Sequence, residues 1–268
     1  MQVGVSVVQR LAARLRVPLV AVGAAVMAGT LLVGLGTEPP VWLGRAGLAV
    51  FVVGLALYVR VGTPDGDTVD IASPVRGRWR AVNSPSSRVP SHLIHGWSQT
   101  YAIDLIHEPG DRRGPAFGWW PLARRPEEYP GFGQPVVAPV DGTVVRAFGA
   151  ARDHWSRTSP AGLAYLLLEG VRELAGPPGV LGNHVVVRRD DGVCVLVAHL
   201  RRRSLRVGTG DRVCQGDQVA ECGNSGNSTE PHLHCQVMDH PSVWVAAGLR
   251  LRVDGSPLPR NGELLDAG

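Results

Sequence analysis

Nine histidines stand in this 268-residue chain, and a few of them sit where imidazole chemistry is possible. In His232-Leu233-His234 the rings are two residues apart, so in a β-strand both point to one face. Two neutral ring nitrogens at that spacing suit a zinc ion, or one ligand beside one catalytic base. The stretch GNSGNSTEP (223–231) just before them is rich in turn formers and would deliver that strand to a site edge. His199 ends the apolar run VLVAHL, and Asp104 interrupts another, TYAIDL. A buried bare carboxylate costs several kcal/mol, so Asp104 requires a cation or hydrogen-bond donors. Each residue alone has a structural explanation; four such coincidences in one small domain favour a metal site.

The elements that must position these groups read as strands. After residue 70 the chain is a series of short apolar runs broken by Gly, Pro, Asn and Asp, such as QPVVAPVDGTVVRAF (134–148) and GNHVVVRRDDGVCVLVAHL (182–200). Asp190-Asp191-Gly192 joins two of them as a hairpin turn. One helical stretch is expected over 161–174, stopped by Gly176-Pro177-Pro178. Segments 109–133, with Trp119 and Trp120, and 150–160 read as loop insertions. The expectation is an all-β domain with an antiparallel core over 71–255, after a polar linker at 61–70 and before a tail at 256–268.

The first sixty residues have another character. Residues 17–36 form twenty positions without a charge, long enough at 1.5 Å per residue to cross a bilayer. TEPP breaks the run, and a second apolar stretch over 41–59 holds a single arginine, Arg45. Trp42 and Tyr58 fall where interfacial aromatics belong. Two transmembrane helices in a tight hairpin follow, so the lipid bilayer is a partner of residues 17–59.

All 27 basic residues are arginine. Residues 1–60 hold five of them against one acid, and the remaining 208 residues carry 22 charges of each sign. The body therefore has no positive excess with which to hold nucleic acid.

The stretch AHL to VAECGNSGNSTEPHLHCQV (198–237) resembles the C-terminal half of the lysostaphin/LytM-type zinc endopeptidases, and 134–147 is similar to the strand pair that follows that family's aspartate. The resemblance covers roughly 90–240. It implies an antiparallel β core, a Zn2+ cofactor and hydrolysis of peptide bonds in bacterial peptidoglycan. By position, Asp104 and His234 would be zinc ligands, and His199 and His232 the non-ligand catalytic histidines that activate water.

One departure stands out. The family places its first zinc histidine four residues before the aspartate, where this chain has Thr100. His92 and His95 lie upstream instead, and a Ser-His dipeptide ahead of Gln-x-Tyr-Ala-x-Asp resembles a divergent branch, which favours His92. His184 reads as a strand residue or a group supporting the site, and His107, His154 and His240 as loop or surface residues. The four cysteines form no metal-binding pairs, and buried free thiols are expected; by strict alternation Cys194 and Cys235 point away from the site.

The reading is a membrane-anchored zinc metalloendopeptidase, multi-pass in the cytoplasmic membrane. Its catalytic domain would lie outside, against the positive-inside count of Arg10, Arg14, Arg16 and Arg60. The alternatives are a catalytically silent domain that binds wall peptide or regulates another hydrolase, and a zinc peptidase with a cytoplasmic substrate.

Overall fold

A computed structural model of the chain describes residues 6–36, 40–60, 67–110, 114–164, 170–173 and 175–268. Two long helices come first, α1 (Val7–Val33) and α2 (Val41–Arg60). Ser6 caps α1 by accepting from the Gln9 N–H, while the Gln9 side chain accepts from the Ser6 N–H. Both helices are long and apolar enough to cross a membrane. They pack as a hairpin on small residues: a Cβ at Gly23 would sit 2.5 Å from the Phe51 backbone nitrogen, and one at Gly54 2.8 Å from that of Val20. Glycine at these points is what lets the two backbones approach.

Helix α1 starts ten residues before the charge-free stretch, and those added turns dock on the β domain. Arg10 pairs with Asp239 at 2.8 Å and donates to the Val245 carbonyl at 3.0 Å. Arg16 is buried, donates to the Trp244 carbonyl at 3.2 Å and lies over the Tyr58 ring. Tyr58 is not the exposed interfacial aromatic its position suggested. It is buried, its ring lying against Gly96 and its carbonyl accepting from the His95 N–H at 3.1 Å.

The β domain runs β1 (Val69–Ile71), β2 (Gly77–Val82), β3 (Ile103–His107), β4 (Pro135–Val137), β5 (Gly142–Phe148), β6 (Asn183–Arg188) and β7 (Cys194–Leu200). It continues β8 (Arg212–Val213), β9 (Gln218–Glu221), β10 (Leu233–Met238), β11 (Gly248–Leu249), β12 (Leu251–Val253) and β13 (Leu264–Ala267). The main sheet is antiparallel, in the order β13-β2-β3-β10-β7-β6-β5-β8, with β11 also on β10. Strands β4 and β9 form a separate antiparallel pair, and β1 and β12 a parallel one. Strand β13 falls in the segment expected to be a tail, yet it closes one edge of the main sheet against β2.

The sheet is covered on both faces. Ile103, Leu105, Val195, Val197, Cys235 and Val237 belong to one core, and Val186, Leu196, Ala198 and Met238 to the other, together with Tyr58 and Trp97. Every residue of β7 is buried, which is why CVLVAHL reads as a continuous apolar run and not as an alternation. Each of these valines and leucines contributes roughly 1.5–3 kcal/mol by leaving water.

Of the helix expected over 161–174, the described residues hold the helical segments Pro160–Ala164 and Gly170–Glu173; residues 165–169 and 174 lie outside the described residues. Gly176-Pro177-Pro178 does not end the helical region. Pro177 opens another turn, Pro177–Leu181, because proline suits the first helical position, where no N–H is needed. The hairpin at Asp190-Asp191-Gly192 joins β6 to β7, with Gly192 at φ +91°.

Candidate metal centre

Register puts the central pair together. His234 on β10 lies directly opposite Asp104 on β3 and, on its other side, opposite Ala198 on β7. Asp104 Oδ1 is 2.8 Å from His234 Nδ1, and its Oδ2 is 3.0 Å from His92 Nε2. His232, two residues before His234 and on the same face, brings its Nε2 to 3.6 Å from Asp104 Oδ1. Asn83, at the end of β2, donates to Asp104 Oδ2 at 2.8 Å.

His199 reaches this face by a break in the pleat. With Val195 and Val197 facing one core, regular alternation would turn His199 toward them and away from His234. Instead the pairing shifts between Asn183 and His184, and His199 adopts φ +59°. This bulge turns the imidazole over, 4.7 Å from the His232 ring and 5.7 Å from His234. Cys194 consequently shares the site's face at the far end of β7, contrary to the alternation argument, whereas Cys235 points away as expected. All four cysteines are free.

Hydrogen bonds at the rear of each ring settle its tautomer. Gln236 donates its amide to the Trp97 carbonyl at 3.0 Å, so its oxygen faces His234 Nε2 at 2.8 Å and accepts the proton there. Ser91 donates its hydroxyl to the Gln99 carbonyl at 3.0 Å, leaving its oxygen to accept from His92 Nδ1 at 3.0 Å. His232 Nδ1 donates to the Glu230 carbonyl and His199 Nδ1 to the Ser225 carbonyl, both at 2.8 Å. Four unprotonated ring nitrogens therefore face the site, and two of them oppose carboxylate oxygens at 2.8–3.0 Å. Lone pair against carboxylate at that range is repulsive unless a proton or a metal ion lies between them. His92, Asp104 and His234 offer one ligand atom each within 4.8 Å of one another, a donor set suited to a divalent metal.

The electrostatics follow. Burial by itself would raise the Asp104 pKa; a positive charge at His92 or His232 and a proton shared from His234 or His92 hold it well below the usual carboxylate range, the same demand for a cation or a proton between ring and carboxylate. Burial, reinforced by His232 and His234, keeps the His199 pKa well below the ordinary imidazole value, so this ring is neutral.

The remaining histidines stand apart. His95 Nδ1 lies 3.1 Å from Thr100 Oγ1, His154 Nε2 2.9 Å from the Gly226 carbonyl, and His240 Nδ1 accepts from the Ser242 N–H at 3.0 Å. His107 ends β3 and packs on Trp79. His184 is buried on β6; its Nδ1 donates to the Gly182 carbonyl, and its Nε2 has no hydrogen-bond partner. Burial lowers its pKa from 6.5 to about 4, so the unfolded chain binds a proton there that the folded chain refuses. That stability is complete above pH 6.5 and is lost as pH falls toward 4, about 3 kcal/mol in all. His184→Phe is expected to flatten the acid limb of stability in urea unfolding between pH 4 and 7; an unchanged limb would count against this account.

The insertions meet one another through Arg124 and Ser156, and through the Tyr129 and Thr158 hydroxyls 2.7 Å apart. They wall a cleft of about 380 Å³ that runs from β3 past Glu230 and Pro231, next to His232. Phe117 and Tyr129 line it, whereas Trp119 and Trp120, each 80% exposed, do not. Sequence reasoning missed Asn83, Ser91, Ser225 and Gln236. Gln236 alone carried a signal, being two residues past His234 on one strand face.

The antiparallel sheet thus bears a buried carboxylate ringed by histidines of fixed tautomer, a set able to hold a divalent metal. Residues 167–244, which carry His184, His199, His232 and His234, match the model of peptidase family M23. The peptidoglycan DD-endopeptidase ShyC of Vibrio cholerae serotype O1 is 34% identical over 70 residues, 26% of this chain and 16% of that protein. The chain thus spans about a sixth of that relative's length. Among solved structures, the catalytic domain of the antimicrobial peptidase lysostaphin from Staphylococcus simulans aligns over 65% of this chain and 88% of its own, at 19% identity and TM-score 0.34. A zinc-containing peptidase from Vibrio cholerae aligns over 71% and 38%, at 18% identity and TM-score 0.31.

Proposed function

We propose that the chain is a membrane-anchored zinc metalloendopeptidase that hydrolyses peptide bonds of peptidoglycan, cross-links or stem peptides, on the outer side of the cytoplasmic membrane. The observation that carries this reading is the pair of imidazoles whose lone pairs aim at the two oxygens of one buried carboxylate. His92 Nε2, Asp104 and His234 Nδ1 would hold the zinc. Zinc, when bound, polarises a carbonyl and lowers the pKa of water. His199 and His232 present unprotonated Nε2 atoms beside it: one would take the proton of the attacking water, and the ring that then carries this proton at Nε2 would donate a hydrogen bond to the oxyanion. Their Nδ1 protons, held by the Ser225 and Glu230 carbonyls, keep both rings in the tautomer that accepts a proton. The cleft beside His232 provides a bed for the peptide.

The topology has support of its own. Arg10 and Arg16 are engaged by the β domain, which removes two of the charges on which the opposite orientation rests.

Zinc content of the full chain in detergent, measured with release of soluble peptides from purified peptidoglycan, tests the proposal. About one zinc per chain is expected, lost in His92→Ala and His234→Ala and kept in His95→Ala. A folded chain that takes up no zinc would overturn it. A zinc-loaded chain that releases nothing would leave the silent binding module.

A further inference from the structure

The cleft walled by the insertions is lined by Ile106, Glu230 and Pro231, which lie within two residues of Asp104 or His232 along the chain, and it has a charge pattern of its own. Asp104 and Ile106 on β3 and Glu108 just past its end succeed one another at intervals of two, and Arg80 of β2 stands opposite Ile106. Ile106, Arg80 and Glu108 line the cleft together with Phe117, Tyr129 and Glu230. Arg80 is bound to Glu108 at 2.8 Å, and Arg157, which also lines the cleft, donates to the Ser228 carbonyl at 2.7 Å. Arg80 thus has a carboxylate partner of its own, and Arg157 is anchored on a backbone carbonyl. Glu230 is half-buried, and among the described residues its carboxylate accepts no hydrogen bond and forms no ion pair. Its backbone carbonyl meanwhile orients His232, so this carboxylate lies two residues from a ring at the reacting centre.

We propose that this cleft receives a primary ammonium group of the substrate peptide, with Glu230 as the specificity-determining acceptor. The proposal rests on the peptidase reading and names a feature of its substrate. A carboxylate already stripped of much of its water and given no partner gains most from a cation brought to it, because the desolvation cost is already met within the fold. Burial raises the Glu230 pKa, while His232 and Arg80 pull it back, consistent with a carboxyl that is desolvated and unpaired. Two sources carry this chemistry, the side-chain amine of a diamino residue and a free peptide amino terminus.

Three stem pentapeptides built with lysine separate them: side-chain amine free with the amino terminus acetylated, amino terminus free with the side chain acetylated, and both acetylated. Each is given to the zinc-loaded full chain in detergent, wild type and Glu230→Gln. Cleavage is followed as kcat/KM, and binding by calorimetry. One amine-bearing peptide is expected to exceed the doubly blocked one by about ten-fold or more, and the ratio is expected to fall to about one in Glu230→Gln. Equal handling of all three by the wild type, or a preference that survives Glu230→Gln, overturns the proposal. Absence of cleavage of every peptide defeats the peptidase reading alone, since the calorimetric ratio and its response to Glu230→Gln still decide the cleft.

Discussion

An Asp104→Asn chain is expected to fold, to bind almost no zinc, and to release wall peptides about 10³-fold more slowly than the wild type. The whole cluster is arranged around this one carboxylate: Asn83 donates to it, and His92, His232 and His234 crowd its two oxygens. Removing the charge while keeping the shape takes away the only anionic member of the His92–Asp104–His234 set. Loss of one partner from a buried charged group costs about 3–5 kcal/mol, which as a barrier is the rate factor given above. The fold survives because an asparagine amide donates to one of the ring nitrogens that otherwise meets a carboxylate oxygen. Metal analysis beside thermal unfolding checks both halves. Near-normal zinc stoichiometry in a folded Asp104→Asn chain would remove Asp104 from the ligand set.

His199→Ala is expected to do the opposite with respect to the metal: zinc stays at about one per chain while kcat falls by roughly 10²–10⁴. The ring is no part of the ligand set, yet the bulge at φ +59° exists to aim it at the site, and the Ser225 carbonyl fixes its tautomer. Burial first, then His232 and His234, lower its pKa, so it acquires a proton only at a pH well under the ordinary imidazole range. With His199 as the base, kcat is expected to hold into mildly acidic solution, and the pH profile of kcat in the wild-type chain is the readout. His232→Ala belongs to the same unit, so the double variant is expected to lose little more than the worse single one. Zinc lost from His199→Ala would mean that His199 holds the metal and does not serve as the base.

Much of this protein was legible in the amino-acid order, for reasons that are local. Twenty uncharged residues at 17–36 demand a nonpolar environment wherever they fold, and the two apolar helices follow from that alone. The period of two along a strand makes His232 and His234 share a face, and His234 and Cys235 oppose one another, before any partner strand is known. The Asp-Gly hairpin between β6 and β7 is written in its turn residues.

Groups that are distant in sequence were decided by tertiary structure. Asp104 faces His234 because β3 and β10 pair in one register, and a slip of one residue would send either side chain to the opposite core. His92 meets the carboxylate from twelve residues upstream because Trp97 and Ser98, at φ +57° and +64°, fold the intervening chain back. That turn is held by Trp97, buried against Trp244 and in one core with Tyr58 of the second helix. No spacing rule reaches such a residue, since its position is set by what the loop packs on and not by its own residues.

Cys194 was misplaced by strict alternation for a related reason. A bulge is a mismatch between two strands, and it is invisible in either one read alone. The sequence by itself determined which chemistry was available, because residue types and local periods are properties of single segments. Only the packed sheet decided which groups share one site, because register, bulges and loop closure are properties of pairs of segments.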